Sequence, residues 1–195
     1  MWDERYSAEE YAYGTEPNDF LAEYHHLIPS GKILCLAEGE GRNAVYLARQ
    51  GYEVTAVDSS AVGLNKAQKL ASQSDVRINT IVADLADFTV AANSFDGVVS
   101  IFCHVPKDIR KDLHQRVIAG LKPGGILLLE AYTPTQLQHG TGGPATDELT
   151  MTLKELEQEL DGLEIILGQE LERDVVEGLY HTGRGAVVQV IGRKA

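Results

Sequence analysis

The sequence predicts an α/β domain in which a doubly wound, mostly parallel sheet of seven strands carries helices on both faces and ends in an antiparallel hairpin. Three observations predict this fold. Short apolar runs alternate with helical patterns over most of the chain. A Gly-punctuated turn, residues 38–41, joins the first apolar run to an amphipathic helix. Two β runs close the chain, and their proximity in sequence predicts antiparallel pairing.

The first strand, turn and helix form the best-defined unit of the sequence. A buried strand is predicted over residues 33–37, and the apolar residues within 44–51 keep helical spacing. A second apolar run, residues 53–57, ends at Asp58. Asp58 follows Gly39 at roughly the 20-residue spacing at which an acidic side chain hydrogen-bonds a nucleoside ribose. The unit therefore predicts a nucleoside-binding site.

The remaining elements follow in order along the chain. A short helix begins near Pro17, with Phe20, Leu21 and Tyr24 on its buried face. A second helix is predicted up to residue 74, capped by Ser59 or Ser60. A third begins after Pro106 and carries the apolar stripe Ile109, Leu113, Val117 and Leu121. A fourth, residues 152–161, begins with a capping box. Further strands are expected over 77–83, 97–102, 126–130, 163–176 and 185–191, the last two joined by about ten residues centred on 178–183.

Composition limits the classes of function. The 195 residues are expected to form one domain, 1–195, whose residues 1–30 make an N-terminal lid and helix. The formal net charge of −12 argues against nucleic acid or an anionic membrane as the main partner. No signal peptide or membrane-spanning run is predicted, and Cys35 and Cys103 lie in apolar runs as reduced thiols do. A cytoplasmic location is the resulting expectation.

Ligands of such sheets bind outside the carboxyl ends of the strands, where the strand order reverses. That rule collects residues 38–41, Asp58, Asp84, 103–104 and 130–132 at one crevice. Electrostatics then favours one ligand over another. The turn also fits a dinucleotide fingerprint, but Glu38 and Glu40 would repel a diphosphate. A nucleoside with a cationic end and no phosphate, such as S-adenosylmethionine, suits the turn better.

With these motifs the sequence resembles the class I, Rossmann-like S-adenosylmethionine-dependent methyltransferases. It is most similar to the small bacterial branch that includes tellurite-resistance and thiopurine methyltransferases. The resemblance covers nearly the whole chain. It rests on the unit at 33–48, on Asp58 and Asp84 after strands two and three, on Phe95-Asp96 before strand four, on the run 121–125 before strand five and on the closing hairpin.

The resemblance implies a role for individual residues. Gly39 and Gly41 would let the backbone approach the cofactor, and Asp58 would hold the ribose hydroxyls. The adenine edge would lie at Asp84 and Leu85, and Cys103 or His104 would line the methyl-transfer position. The full set of cofactor contacts implied in this way is Tyr6, Tyr13, Ala37, Glu38, Gly39, Gly41, Arg42, Asn43, Asp58, Ser59, Asp84, Leu85 and Cys103, with Trp2 as a further covering aromatic.

The chain departs from the family pattern in its first strand. Cys35 stands where the family has an acidic residue that helps to hold the methionine amine, and Ala37 stands where it has Gly. Glu38 is the candidate to replace the missing carboxylate. The departure bears on how tightly the cofactor is held.

Three residues at the crevice are catalytic candidates. His104 is the candidate base, although a surface or helix-capping histidine is the plain alternative. Glu130 and Tyr132 leave strand five at the same edge, and a salt-bridge carboxylate is the alternative for Glu130. Gln136, His139 and the run 140–144 predict a lid over the acceptor, whereas His181 is expected to be structural.

The sequence is interpreted as that of an enzyme that transfers a methyl group from S-adenosylmethionine to a small molecule by in-line displacement. A soft acceptor atom such as sulfur, selenium or tellurium is implied only by the family resemblance. The alternatives are a non-catalytic S-adenosylmethionine-binding regulator and an NAD-dependent oxidoreductase. No metal site is expected, because the six histidines lack metal-ligand spacing. The partner is expected to be the small-molecule acceptor alone, and the sequence leaves monomer and homodimer open.

Overall fold

The computed structural model describes residues 2–195. Its helices are α1 Trp2–Tyr6, α2 Asp19–Tyr24, α3 Arg42–Arg49, α4 Ala61–Gln73, α5 Lys107–Gly120 and α6 Leu153–Glu159. Its strands are β1 Lys32–Leu36, β2 Glu53–Asp58, β3 Asn79–Val82, β4 Phe95–Ile101, β5 Leu121–Tyr132, β6 Leu163–Glu177 and β7 His181–Lys194. Short 3₁₀ turns cover His25–Leu27, Pro134–Gln138 and Asp147–Leu149.

The seven strands form one mixed sheet in the order β3-β2-β1-β4-β5-β7-β6. The first five pair in parallel, and β7 pairs antiparallel with both β5 and β6. The predicted fold class is thus confirmed. The strand order reverses between β1 and β4, so the expected ligand crevice lies beyond the carboxyl ends of these two strands.

Two apolar clusters cover the two faces of the sheet. Alternating residues of β1 divide between them, since Ile33 and Cys35 join one cluster and Leu34 and Leu36 the other. The helices α3 and α4 pack on the first face, and α5 and α6 pack on the second. This two-sided burial explains why the central strands read as continuous apolar runs.

Several boundaries differ from those predicted. The connection within the closing hairpin has three residues, 178–180, because pairing continues as far as Glu177 and His181. On α5 the predicted stripe is interrupted: the helix ends at Gly120 and Leu121 begins β5. Polar Arg110 and His114 are buried beside Leu113 and Val117. Within residues 2–195, none of the helices has the length and apolar character needed to cross a membrane.

Candidate functional site

A cavity of about 770 Å³ opens at the carboxyl ends of the parallel strands. Each of the first four strands contributes the residues at or just beyond its end. From strand ends and the turns after them, the wall contains Ala37, Glu38, Glu40, Asp58, Ser59, Ala83, Asp84, Leu85, Phe102 and His104. Arg42 and Asn43 of α3 and Tyr6 and Tyr13 of the N-terminal segment complete this side. Eleven of the sixteen predicted site residues therefore lie on one cavity wall.

The turn after β1 follows an unusual backbone path. Ala37 has φ +48°, Gly39 has φ +59°, and Gly41 has φ +90° where it precedes α3. A Cβ at Gly39 would lie 2.6 Å from the Tyr6 hydroxyl, and one at Gly41 would collide with Ala67 of α4. Neither glycine is on the cavity wall. Their role in this structure is close packing against α1 and α4, and the expected approach of their backbone to the cofactor stays a prediction.

Ala37 carries the one left-handed conformation of this turn that is not on glycine. We expect Ala37→Gly to raise the free energy of unfolding by about 0.5–1 kcal/mol, because glycine adopts positive φ without the Cβ penalty, partly offset by greater freedom of the unfolded chain. Urea denaturation measures the change. Ala44→Gly, in the helical conformation of α3, is the matched control and should lower stability. Destabilisation by Ala37→Gly would contradict the argument.

Glu38 closes the amino-terminal end of α3. Its Oε1 accepts a hydrogen bond from the Ala44 amide at 2.7 Å, so a carboxylate occupies the helix terminus on which a diphosphate would rest. Burial raises the pKa of Glu38 to about 7, opposed by the Ala44 hydrogen bond and the charge of Arg42. Near neutral pH the group is thus only partly ionised.

Glu40 does not act as the second repelling carboxylate. It lies 2.5 Å from Lys66 Nζ of α4, and its Oε2 accepts a hydrogen bond from the Ala12 amide at 2.8 Å. Its charge is therefore paired and directed toward α4 and the N-terminal segment. The sequence predicts that two glutamates exclude a diphosphate, but in the structure only Glu38 can do so. Glu38 acts mainly by occupying the helix terminus and less by charge repulsion.

The raised pKa of Glu38 has a consequence for stability. The folded protein holds this proton more tightly than the unfolded chain, so stability falls as pH rises from about 4.5 to about 7. Across this pH range we expect the free energy of unfolding of the wild type to fall by on the order of 3 kcal/mol relative to that of Glu38→Gln. Urea denaturation at pH 4, 6 and 8 measures the difference. Glu164→Gln, at an exposed glutamate of β6, should give a curve parallel to that of the wild type, whereas parallel curves for Glu38→Gln would refute the prediction.

Asp58 ties the end of β2 to the turn after β1. Its Oδ2 accepts from the Gly39 amide and its Oδ1 from the Ser60 amide, each at 2.8 Å. Burial raises its pKa against the effect of these hydrogen bonds. Each carboxylate oxygen can accept more than one hydrogen bond, and Asp58 faces the cavity. The side chain is therefore placed to accept hydrogen bonds from ligand hydroxyl groups.

The N-terminal segment forms a cover over one side of the cavity. Tyr6 is buried against Gly39 and packs edge-on to Tyr13, with ring centroids 6.5 Å apart. Arg5 donates a hydrogen bond to the Tyr13 hydroxyl at 2.9 Å and lies over the rings of Trp2 and Tyr180. Lys66 of α4 holds the segment in place by donating hydrogen bonds to the carbonyl groups of Ala8 and Glu10, at 2.9 and 2.7 Å.

His104 lies on the wall beyond β4. Its Nδ1 is 2.8 Å from the Leu149 carbonyl oxygen, which assigns the proton to Nδ1 because a carbonyl only accepts. Nε2 is closed to solvent and has no hydrogen-bond partner among residues 2–195. Burial lowers the pKa of His104 to about 4, so the ring is neutral at physiological pH. A neutral imidazole with a free Nε2 lone pair can accept a hydrogen bond or a proton.

Glu130 is not on the cavity wall. It is fully buried and accepts two hydrogen bonds from Arg173, at 2.7 and 2.8 Å, one from Asn18 at 2.6 Å and one from Gln189 at 2.8 Å. All its strong acceptor positions are used to join β5, β6, β7 and α2. The salt-bridge alternative is therefore the one observed for Glu130, and its catalytic role stays a prediction, against which this buried network argues.

Tyr132 and Cys103 also lie behind the wall. Tyr132 is 1% exposed and supports the rings of Phe102 and His104, while Cys103 is 2% exposed. Burial raises the pKa of the Cys103 thiol to about 12, so it remains protonated. Side chains at a strand end enter either the crevice or the packing behind it, and the sequence does not distinguish these two positions.

The rest of the cavity wall contains residues that the sequence did not single out as ligand contacts. Phe102, Val105, Pro106, Ile109 and Leu149 line it, together with Tyr180 and His181 of the hairpin. Of the run 140–144 predicted as a lid, residues 142–144 lie on the wall with Ala145, and a lid movement stays a prediction. Gln136 holds this run by donating to Gly142 O at 2.9 Å and accepting from the Ala186 amide at 2.9 Å. His181, which was expected to be structural only, lies on the cavity wall. Its position depends on the three-residue connection of the hairpin, which no local sequence pattern predicts.

The mixed sheet of seven strands with its closing antiparallel hairpin is the fold of the Rossmann-like methyltransferases. Residues 33–125, just under half of the chain, match the family model described as "Methyltransferase domain". An uncharacterized methyltransferase, YbaJ of Bacillus subtilis (strain 168), is 32% identical over 104 residues, which are 53% of this chain and 41% of that protein. The match thus spans less than half of this curated relative.

Solved structures of the same fold agree with this class. A structure described as an S-adenosylmethionine-dependent methyltransferase from Methanosarcina mazei has a TM-score of 0.68 and 20% identity, covering 92% of this chain and 98% of that one. TehB from Haemophilus influenzae has a TM-score of 0.75 and 18% identity, covering 100% and 66%. At these identities the likeness concerns the fold. The family model, the curated relative and the Methanosarcina structure are all described as methyltransferases, and the description of that structure names S-adenosylmethionine.

Proposed function

We propose that this protein binds S-adenosylmethionine in the cavity and transfers its methyl group to a small-molecule acceptor. The observation that carries the proposal is the convergence of the four strand ends, with Glu38, Asp58, Asp84 and Phe102, on one wall. A volume of about 770 Å³ lies within the range of small-molecule sites. The methyltransferase-domain match over residues 33–125 covers the same strand ends.

The residues of the wall fit this cofactor. The Asp58 carboxylate suits the two ribose hydroxyls, and Asp84 with Leu85 suits the adenine edge. Tyr6 and Tyr13 would cover the nucleoside. Glu38 places a carboxyl group at the α3 terminus, where a phosphate-free ligand with a cationic end is tolerated and a diphosphate is not. When bound, S-adenosylmethionine supplies a methyl group already activated by its sulfonium.

The chain's own contribution is then mainly alignment and exclusion of water. The N-terminal segment and the hairpin residues Tyr180 and His181 contact each other and line the cavity together. A reacting pair held at about 3–3.5 Å needs little further assistance from protein groups. His104 can accept a proton through Nε2 only from an acceptor that loses it readily, because a base of low pKa takes up protons weakly. The low pKa of His104 accordingly favours an acceptor that is already anionic or that loses its proton readily.

Within the class we propose the branch that includes tellurite-resistance and thiopurine methyltransferases. The aromatic N-terminal segment that lines the cavity supports this placement, as does the fold similarity to TehB, which covers all of this chain and 66% of TehB. The proposal for the acceptor remains a small molecule, since loop 142–145 and the hairpin add to the wall of a cavity of about 770 Å³.

Calorimetric titration tests the cofactor, with S-adenosylmethionine, S-adenosylhomocysteine and NAD as ligands. We expect the first two to bind and NAD to show no affinity. Production of S-adenosylhomocysteine in a screen of metabolites tests turnover. Binding without turnover on any acceptor would favour the regulatory alternative. Binding of NAD in place of S-adenosylmethionine would favour the oxidoreductase and defeat the proposal.

A further inference from the structure

A lysine of α4 joins the N-terminal segment, residues 2–13, to the turn after β1. Lys66 Nζ lies 2.5 Å from Glu40 Oε1 of the turn. It also donates hydrogen bonds to the carbonyl oxygens of Ala8 and Glu10, at 2.9 and 2.7 Å. An ammonium group has three N–H donors, and three oxygen atoms close to it match this capacity. The Lys66 charge is therefore shared between the turn and the segment.

The middle of the N-terminal segment depends on this lysine. Helix α1 has five residues, too few to be stable on its own. Tyr6 and Ala12 are the only residues of the segment that are buried. In the described part of the chain, the hydrogen bonds that join residues 8–10 to the rest of the protein all come from Lys66. Without them, this stretch of backbone would be free to leave the surface of α4.

The segment and the turn that Lys66 joins both contribute to the cavity wall. Tyr6 and Tyr13 line the cavity from the segment, and Glu38 and Glu40 line it from the turn. Lys66 itself is not among the wall residues. It can therefore act on a ligand in the cavity only through the residues that it holds in place.

We propose that Lys66 is a positioning residue, which keeps the methyl donor bound by holding the N-terminal segment against the turn after β1. This inference rests on the proposed function and concerns retention of the cofactor in the same site. A molecule whose segment is out of place presents an incomplete wall to the ligand. The apparent affinity falls with the fraction of molecules whose wall is complete. Loss of the Lys66 charge lowers this fraction and speeds release of the ligand.

Trp2 supplies the signal for the test, because it is the only tryptophan of the chain and lies on the cavity wall. Stopped-flow fluorescence at increasing concentrations of S-adenosylhomocysteine gives the association and release rates, and calorimetry gives the affinity. We expect Lys66→Met to release the ligand about tenfold faster, the effect of losing hydrogen bonds to a charged group. Lys69→Met, at an exposed lysine of α4 outside the cavity, should release it at the wild-type rate.

A second pair of variants covers the case in which Lys66→Met does not fold. Removing the lysine alone leaves the Glu40 side chain, 4% exposed, without its cation, which is strongly destabilising. The double variant Lys66→Met/Glu40→Gln removes both charges, and the new amide can still accept from the Ala12 amide as Glu40 does. Its reference is Glu40→Gln alone, which retains Lys66. We expect release to be about tenfold faster from the double variant than from Glu40→Gln.

Chemical rescue separates the charge of Lys66 from the length of its side chain. Alkylation of Lys66→Cys with 2-bromoethylamine rebuilds a side chain of the same length that ends in an ammonium group. Alkylation with 1-bromopropane gives the same length without a charge. The native Cys35 and Cys103 are at most 2% exposed and are protected from both reagents. Only the ammonium adduct should restore slow release, and equal release from the two adducts would overturn the proposal.

The two proposals fail separately. Lack of S-adenosylhomocysteine binding by the wild type defeats the proposed function. Binding with the same release rate in Lys66→Met as in the wild type overturns the role of Lys66. Where the wild type does not bind, acrylamide quenching of Trp2, which stacks on Tyr6 with ring centroids 5.8 Å apart, still tests the segment. We expect stronger quenching in Lys66→Met, and unchanged quenching would contradict the positioning role.

Discussion

Glu130→Ala is expected to lower the free energy of unfolding by about 3–5 kcal/mol, the cost of breaking a buried ion pair from one side. The substitution removes every hydrogen bond that Glu130 accepts, including both from Arg173. Arg173 retains a hydrogen bond to the Asp174 carbonyl at 3.1 Å and longer ion pairs, at 3.6 Å to Glu177 and 3.5 Å to exposed Asp19. A guanidinium that is mostly buried would lose its main partner. Urea denaturation followed by circular dichroism measures the loss.

Glu172→Ala is the matched control on the same hairpin. Glu172 pairs with Arg184 at 3.3 Å, but both side chains are about half exposed, and such pairs contribute about 0–1 kcal/mol. We expect its denaturation curve to lie close to that of the wild type. A loss below about 1 kcal/mol for Glu130→Ala would show that the network is dispensable, and it would reopen the catalytic role for Glu130.

Asp58→Asn is expected to weaken S-adenosylmethionine binding by about ten- to hundredfold, the range for a hydrogen bond to a charged group. The amide keeps the shape of the carboxyl group but turns one acceptor into a donor. That donor would face the amide of either Gly39 or Ser60, both of which already donate to Asp58. Fewer acceptors would remain for the ribose hydroxyls. Calorimetric titration with S-adenosylhomocysteine measures the effect.

The control for this variant is Asp87→Asn, at an exposed aspartate outside the cavity. Its affinity should equal that of the wild type. Because Asp58 also supports the turn after β1, stability is measured in parallel, and affinity is compared under conditions where both proteins are folded. Unchanged affinity in a folded Asp58→Asn variant would contradict the assignment of Asp58 to the ribose.

The backbone of the site could be predicted from the sequence because its signals are local. The apolar runs, the glycine turn and the cap at Ser60 each depend on residues a few positions apart, and Ser60 indeed accepts from the Gly63 amide at 3.0 Å. The position of Asp58 follows from the same logic. Its distance along the chain from Gly39 reflects one strand–helix–strand unit, whose length the fold constrains.

The residues that the sequence misplaced depend on contacts across long distances in the chain. Whether Glu130 faces the crevice or the packing behind it is decided by Arg173 and Asn18, which lie more than 40 residues away on either side. The cavity position of His181 depends on how the hairpin folds back over β5. Glu40 was assigned to the turn from its sequence position, and only the structure reveals its partner Lys66.

The place of β7 in the sheet bears on how the chain is made. Although β7 is the final strand in sequence, it lies between β5 and β6. While residues up to 180 have emerged from the ribosome and the rest are still inside, β5 has an open, strongly apolar edge that can capture another nascent chain. Synthesis must therefore pass beyond β7 before the sheet closes.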